Sequence, residues 1–378
     1  MKKLLMLGTG SYKGTLMIRL RDLARHLGKD FDVTVMSPPA DKYNDFKPDY
    51  SIKPEGYKLV QPWQLATRSP IVNLIPYLFT SLLQIVKSRA DVIYIYKPTP
   101  ITVLGLVPRL WGRQVILDMD DLGSEVMKLE GQSGLNVTLV SLSERLAMRF
   151  ASQVVVTSTL LESEVKARYP RKPVLVLPNG VEPSDYVQAA EKPLRNAVYS
   201  FGAINRLDLI EDLLRAVPVI VREIPDVQFT IAGGGSALDD AKRLVKKLKV
   251  AQSVTFTGWL TNMHAVQQHT QFGDIGICYQ PDGRTNRAAS NMKVFQYMAM
   301  STVPVVSNVG DLHSYVRDGK AGVVVDPGDS SKLAEAIITL LRDEKQRTEL
   351  ATQASKLAST THSWARRARD LRKFIEKA

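Results

Sequence analysis

One stretch of this 378-residue sequence gathers more binding chemistry than any other. It reads Arg284-Thr285-Asn286-Arg287-Ala288-Ala289-Ser290-Asn291-Met292-Lys293-Val294-Phe295-Gln296-Tyr297. Ser290 or Asn291 is placed to cap a helix that begins there. Lys293 and Gln296, three apart, share one face of that helix, and Arg287 lies in the loop before it. A helix N-terminus with Arg and Lys beside it suits a diphosphate. The apolar side chains of Val294, Phe295, Tyr297 and Met298 would anchor the helix. A solvated basic loop is the plain alternative.

A second candidate is Asp118-Met119-Asp120-Asp121, at the C-terminal end of a predicted strand. Open α/β sheets bind ligands at such ends. These carboxylates could hold magnesium, act as a base, or bond backbone amides in a turn. Two glycine runs also follow predicted strands and open helices: Gly8-Thr9-Gly10 with Gly14, and Gly233-Gly234-Gly235. Each either lets the backbone approach an anion or makes a tight turn. Neither has the dinucleotide spacing G-x-G-x-x-G or the G-K-[ST] ending of a P-loop, which disfavours a nicotinamide dehydrogenase. His26, His264, His269, His313 and His362 show no metal-ligand spacing, and no G-x-S-x-G signals a serine hydrolase.

The elements that must position these residues alternate in type. Strands are predicted at Leu4–Leu7, Phe31–Met36, Val92–Tyr96, Val115–Asp118, Val154–Thr157 and Val174–Leu177. A helix over 15–27 turns Leu16, Leu20, Leu23, Ala24 and Leu27 to one side. Another carries Leu135, Leu139, Leu142, Leu146 and Phe150 at spacings of three and four, a stripe expected to cover a sheet. After the polar stretch Val187–Arg195 the alternation restarts, with strands at Ala197–Phe201, Val227–Ala232, Val254–Thr257, Ile275–Tyr279, Val303–Ser307 and Gly322–Val325. Helices are expected at about 208–222, 236–249, 291–300 and 330–343. The pattern is an α/β chain with two Rossmann-like βα domains and parallel sheets. Residues 69–86 are apolar, interrupted by Asn73 and Pro76 and flanked by Arg68, Lys87 and Arg89. They read as a core-packed helix or as one lying in a membrane interface.

Composition narrows the partners. The chain is 44% hydrophobic and 23% charged, as in soluble globular proteins, and its length suits two domains. The single Cys278 lies in an apolar run and reads as a buried thiol, which sets the expectation of a reducing, cytoplasmic compartment. The segment from Met1 to Gly8 reads as a first strand rather than a targeting segment, and no apolar run has the length to cross a bilayer. The formal charge of +12 suits nucleic acid, an anionic membrane surface or phosphorylated small molecules. The charge is scattered and lacks any zinc-finger, basic-zipper or RNA-binding signature, so nucleic acid is not expected.

Several segments, in order, resemble a GT-B-fold retaining glycosyltransferase of family four, the glycosyl transferases group 1. They are Pro178-Asn179-Gly180-Val181, matching the P-N-G-V that closes the family's first domain; Phe229-Thr230-Ile231-Ala232-Gly233-Gly234-Gly235; Val254-Thr255-Phe256-Thr257-Gly258; Lys293-Val294-Phe295-Gln296-Tyr297-Met298-Ala299; and Val303-Pro304-Val305-Val306. The resemblance covers nearly the whole chain and implies a divergent member. It implies an acceptor-binding domain over 1–187, a nucleotide-sugar-binding domain over 196–360, and a closing helix over 361–378 that crosses back to the first. It further implies transfer of a sugar from a nucleoside-diphosphate sugar to a glycan or lipid-linked acceptor with retention, without metal or other cofactor.

The family's site residues carry over unevenly. Its donor-phosphate Arg and Lys fall on Ala203 and Asp208, with Arg206 nearby. The ribose-binding Glu falls on Gln296, the earlier Glu on Ala288, and the first-domain His on Asp120. An R-x-x-S-N-x-K run found in part of the family matches Arg287, Ser290, Asn291 and Lys293. The resemblance therefore implies Asp120, Arg287 and Lys293 as catalytic. It implies donor binding by Gly202, Arg206, Gly233, Gly258, Arg287, Ser290, Asn291, Lys293 and Gln296, and acceptor binding by Gly10, Ser11, Tyr12 and Asp121. An anionic membrane surface is a further expected partner, giving a cytoplasmic enzyme peripheral to the inner face of the membrane. A degenerate, non-catalytic binding subunit is the alternative that Ala203, Asp208, Ala288 and Gln296 motivate. A sugar-nucleotide epimerase of the same fold is another.

Overall fold

The computed structural model describes residues 1–9, 17–38, 53–62, 70–132, 134–186, 196–206, 210–260, 274–317 and 320–377, leaving out the side chains of 70–75. The chain forms two compact units, Met1–Pro178 with Trp364–Ala378, and Asn179–Ser363.

The first unit is built on seven parallel strands, β1 (Lys3–Leu7), β2 (Asp32–Met36), β3 (Lys58–Val60), β4 (Val92–Tyr96), β5 (Gln114–Met119), β6 (Gln153–Val156) and β7 (Val174–Val176). Their order is β3-β2-β1-β4-β5-β6-β7. Strands covered on both faces read as continuous apolar runs, and all five residues of β4 are buried. Helices α1 (Ile18–Leu27), α2 (Pro70–Ser88), α3 (Gly123–Leu129), α4 (Leu135–Phe150) and α5 (Thr159–Arg168) and a 3-10 helix (Thr102–Trp111) connect them. In α1, Leu20, Leu23, Ala24 and Leu27 are buried, the face expected from their spacing.

Two expectations about helix orientation change. In α4 the buried residues are Val137, Ser143 and Ala147, while Leu135, Leu142, Leu146 and Phe150 are exposed. The leucine stripe thus faces outward, while the side carrying Val137, Ser143 and Ala147 faces inward, and α4 packs against α3 and the 3-10 helix. In α2 the residues Tyr77 and Ile85 are buried, but Phe79, Leu83 and Val86 are exposed, so among its described side chains only one side is core. Pro76 sits inside it.

The second unit repeats the design with six parallel strands: β8 (Ala197–Phe201), β9 (Gln228–Ala232), β10 (Val254–Gly258), β11 (Ile275–Cys278), β12 (Val303–Ser307) and β13 (Val323–Val325). Their order is β10-β9-β8-β11-β12-β13. Helices α6 (Glu211–Glu223), α7 (Leu238–Lys247), α8 (Arg284–Ala288), α9 (Met292–Ala299), α10 (Leu312–Arg317), α11 (Ser330–Arg342) and α12 (Glu344–Thr360) connect and cover them. Val217, Ile220, Ile337 and Leu340 pack with Phe229, Ile231 and Val305 in one core. Phe295, Tyr297, Met298, Val316 and Ala358 pack with Tyr199, Cys278 and Val306 in another.

The boundaries differ from those expected. The units divide inside the P-N-G-V segment, after Pro178, and not at 187. The Asn179 amide donates to Ser290 Oγ at 2.9 Å and its side chain to the Ser290 carbonyl at 2.7 Å, which ties this residue to the second unit. Near the other end, Val181 N donates to the His362 carbonyl, and the last helix, α13 (Trp364–Glu376), starts three residues later than 361. It packs on α1 within the first unit. There Gln114 and Gln153 donate to the carbonyls of Ile375 and Phe374, and Arg372 donates to Asp30.

One charged group sits wholly inside the first unit. Arg19 of α1 and Asp118 of β5 are both fully buried and meet through two hydrogen bonds, at 2.7 and 3.1 Å. Tyr94 of β4 donates to the same carboxylate at 2.5 Å. Burial pushes the Asp118 carboxyl up, against the pull of Arg19 and Tyr94. Removing one member of such a pair strands the other charge. Asp118→Ala should therefore cost about 3–5 kcal/mol in urea unfolding, and the double change Arg19→Met/Asp118→Leu should recover most of it. A single change that costs under about 1 kcal/mol would contradict this reading.

Candidate functional site

In both sheets the strand order reverses beside the first strand, and in open α/β sheets the crevice at such a reversal binds ligands. In the second unit it lies between β8 and β11. The residues following those strands, Gly202 and Tyr279–Gln280, therefore face it. Helix α9 is seated close to this edge. A Cβ on Gly276 of β11 would lie 2.4 Å from the Tyr297 ring, so the bare glycine lets the ring rest on the strand. The Tyr297 hydroxyl donates to the Ile277 carbonyl at 3.2 Å. Phe295 packs at a tilt against Tyr315 and His362, with ring centres 4.9 Å from each.

The first turn of α9 has no side-chain cap, and Val294 N donates to the Asn291 carbonyl at 3.2 Å. Neither expected cap forms: Asn291 at the N-cap makes no side-chain cap bond. Ser290 Oγ instead accepts from Asn179 N, and Asn291 exchanges two amide hydrogen bonds with Gln280, at 3.0 and 3.1 Å. The first N–H groups of a helix have no intrahelical acceptor. They carry the positive end of the helix dipole.

Lys293 stands in this turn. A Cβ built on Gly202 would lie 3.9 Å from Lys293 Nζ, which places the ammonium at the end of β8. No carboxylate among the described residues pairs with it. Burial raises the Cys278 thiol, and the neighbouring Lys293 charge opposes that rise. The ammonium thus reaches across the crevice from α9.

The glycines close the other wall. Gly202 and Gly233 have φ of +138° and +147°, and a Cβ on Gly233 would lie 1.9 Å from the Gly202 carbonyl oxygen. Gly202 N donates to Ala232 O, Gly233 N to Gly258 O, and Ile204 N to Gly234 O. Gly258 is thereby held beside Gly233 at the end of β10. The Gly233-Gly234-Gly235 run is thus a close-packed backbone wall beside the crevice. Arg206 is half-buried in the turn after Ile204.

Not every expected residue points into this crevice. Arg287, on α8, is exposed and forms two bonds to Asp282, at 2.6 and 2.5 Å. That hydrogen bond raises the guanidinium's pKa and lowers the carboxyl's. Gln296 is buried and donates to the Tyr186 hydroxyl at 3.0 Å, leaving its carbonyl oxygen as an acceptor.

In the first unit, Asp118, Asp120 and Asp121 go to different partners. Asp118 holds Arg19. Asp120 accepts from the Tyr96 hydroxyl at 2.9 Å and lies 3.4 Å from Lys97 Nζ. Asp121 accepts from Lys97 at 2.6 Å. Burial would lower the Lys97 pKa, but Asp121 and Asp120 outweigh it and raise it. Lys97 also has a left-handed φ of +53°, a costly conformation for a residue with a side chain. Among the described residues no group of three metal-ligating side chains converges. Gly10, Ser11 and Tyr12 lie outside the described residues, as does Asp208.

Sequence reasoning did not single out Gln280, Tyr186, Lys97 or Arg19. Only Lys97 carried a usable signal, a polar residue directly after a fully apolar strand. Asn179 was noticed as a motif, but its bond to Ser290 spans 111 residues.

Two family profiles match the chain. The one described as glycosyl transferases group 1 matches residues 195–343, and the one described as a glycosyl transferase 4-like domain matches residues 14–180. Among characterised relatives, the alpha-maltose-1-phosphate synthase of Mycolicibacterium smegmatis is 24% identical over 262 residues, covering 62% of this chain and 65% of that protein. A GDP-mannose-dependent alpha-(1-6)-phosphatidylinositol monomannoside mannosyltransferase of the same organism is 28% identical over 168 residues, 43% of each. The chain thus spans less than two thirds of the length of these relatives. Anabaena HepE in complex with UDP and glucose has the same fold, with TM-score 0.76, 17% identity and full coverage of both chains. Sucrose-phosphate synthase from Thermosynechococcus elongatus gives TM-score 0.74 and 18% identity over 100% and 99% of the two chains. The architecture is therefore GT-B.

The glycine wall yields a direct test. Gly233→Ala forces its methyl group into the Gly202 carbonyl, in a backbone conformation that alanine disfavours. The expected loss is about 2–4 kcal/mol in chemical denaturation. An alanine variant as stable as the parent would show that the two loops do not pack this closely.

Proposed function

As a member of the glycosyl transferases group 1, this chain is, we propose, an enzyme that moves a sugar from a nucleoside-diphosphate sugar held by the second unit to an acceptor held by the first. The observation that carries the reading is Lys293. Its ammonium reaches Gly202 at the reversal of strand order, beside an uncapped helix N-terminus. Charge builds on the diphosphate as the bond to the anomeric carbon breaks. Lys293 and the first-turn amides of α9 are fixed positive groups that meet that charge as it forms, the electrostatic form of catalysis. Gln296 offers its carbonyl oxygen to a sugar hydroxyl. Arg287 acts as a second clamp after exchanging Asp282 for phosphate.

The transfer proceeds with retention. The bond from the anomeric carbon to the phosphate oxygen breaks and a bond to the acceptor oxygen forms on the same face. The acceptor proton passes to the departing phosphate, so no metal or other cofactor is required. Asp120 and Asp121, with the segment containing Gly10, Ser11 and Tyr12, bind a glycan or lipid-linked acceptor. The enzyme works at the cytoplasmic side of an anionic membrane. The maltose-1-phosphate synthase and mannosyltransferase relatives support a hexosyl donor, and HepE's complex with UDP makes uridine the first base to test.

A thermal-shift screen of UDP-, GDP- and ADP-sugars identifies the donor, and transfer is then followed with it. Lys293→Ala should keep the fold and lower turnover about a hundredfold or more. Near-normal turnover in that variant would sink the assignment. Because Arg287 is exposed and already ion-paired, Arg287→Ala should lower turnover less than Lys293→Ala. The reverse ranking would move the phosphate site onto α8.

A further inference from the structure

The exposed apolar side chains of this protein are concentrated on one side of the first unit. Of the thirteen large exposed hydrophobic side chains among the described residues, nine lie on α2, the 3-10 helix and α4. The 3-10 helix packs on β4 and β5 and against both α2 and α4, so the three elements form one layer over the sheet. A Cβ on Gly105 would meet Leu7 and Ile95 within 3.0 Å, which shows how tightly the inner side of that layer is seated. On its outer side Leu110 is 82% and Trp111 61% exposed, and Phe79 is 68% exposed. An exposed apolar concentration of this kind marks an interaction site.

Charge says what the partner is. The same elements and their ends carry Lys87, Arg89, Arg109, Arg113, Arg145 and Arg149. Their acids are already engaged: Asp91 holds Arg113 at 3.1 Å and accepts from Lys3 N, and Glu144 accepts from the amide and hydroxyl of Ser124. Cations and apolar groups are interleaved. Val86, Arg89, Trp111 and Arg113 line one recess, and the Arg149 guanidinium lies 5.7 Å from the Phe150 ring centre. A protein partner would need a matching acidic rim around each apolar stripe, whereas an anionic lipid surface supplies negative headgroups above an apolar layer everywhere. No helix among the described residues is long and apolar enough to cross a membrane, so contact is from one side.

We infer that the outer face of α2, the 3-10 helix and α4 docks on an anionic phospholipid bilayer, with Leu110, Trp111, Phe79 and the α4 leucines entering the headgroup boundary. Such binding combines buried apolar area with attraction to anionic lipid. The inference rests on the proposed lipid-side acceptor for its purpose, but on exposure and charge for its evidence.

Co-sedimentation of the full chain with vesicles tests it, without donor or acceptor. Vesicles of phosphatidylcholine mixed with phosphatidylglycerol should bind the protein, phosphatidylcholine alone should bind it weakly, and added salt should release it. Leu110→Ser/Trp111→Ser and, separately, Leu142→Ser/Leu146→Ser should each weaken binding by about tenfold or more. Val219→Ser, an exposed change in the second unit, should leave it unaltered, and UDP binding by calorimetry should be the same in all. Anionic-vesicle binding that survives both double changes, or that never occurs in the parent, overturns the proposal. So does a parent that self-associates in light scattering and ignores vesicles while the variants are monomeric, since a second copy then covers the face. Vesicle binding without transfer to lipid-linked acceptors would leave docking standing and remove the acceptor reading instead.

Discussion

Helix α9 begins at a residue whose neighbour is committed elsewhere. Ser290, the natural cap, accepts the backbone amide of Asn179 and is itself buried. Asn291 is locked to Gln280. With both polar side chains engaged, no side chain caps α9; Val294 N turns back to the Asn291 carbonyl, and the positive end of the helix dipole lies at this turn. An open helix end costs stability unless water or a ligand satisfies it. Its position at the reversal between β8 and β11, with Lys293 beside it, makes an anion the fitting ligand. The seating of Tyr297 on Gly276 and the glycine wall at Gly202 and Gly233 hold that end in place.

The first unit uses charge differently. Arg19, Asp118 and Tyr94 satisfy one another inside the sheet, which sets the ends of β4 and β5. Just beyond, Lys97 in a left-handed conformation binds Asp120 and Asp121. Unlike the buried pair, this outer group of three remains partly open to solvent. Both units therefore place polar groups at the C-terminal ends of parallel strands, one presenting carboxylates and the other a cation with helix amides. That contrast fits a neutral hydroxyl-bearing acceptor on one unit and a diphosphate on the other.

Some of this was legible in the residues. The strands Val92–Tyr96, Ala197–Phe201 and Val303–Ser307 were read to the residue, because branched and aromatic runs between breakers leave few alternatives. β3 was missed, being three residues long, and α12 was missed because only Ala354 and Ala358 of its seventeen residues are buried. Periodicity located the stripe of α4 but not its direction. A stripe of leucines and a stripe of Ser and Ala both satisfy helical spacing, and only the elements beneath, α3 and the 3-10 helix, decide which one faces inward. The segment around Lys293 was found from its composition. The role of Ser290 was not, since its partner lies 111 residues away, and neither was the Arg19–Asp118 pair across 99.

The central claim is that the open end of α9 and Lys293 hold the donor's diphosphate. A crystal structure of the chain with UDP bound tests it most directly. Diphosphate oxygens should lie within hydrogen-bond reach of the first-turn amides of α9 and of Lys293 Nζ, with Ser290 still bonded to Asn179. A diphosphate bound elsewhere, or a Ser290 turned back to cap its own helix, would contradict it.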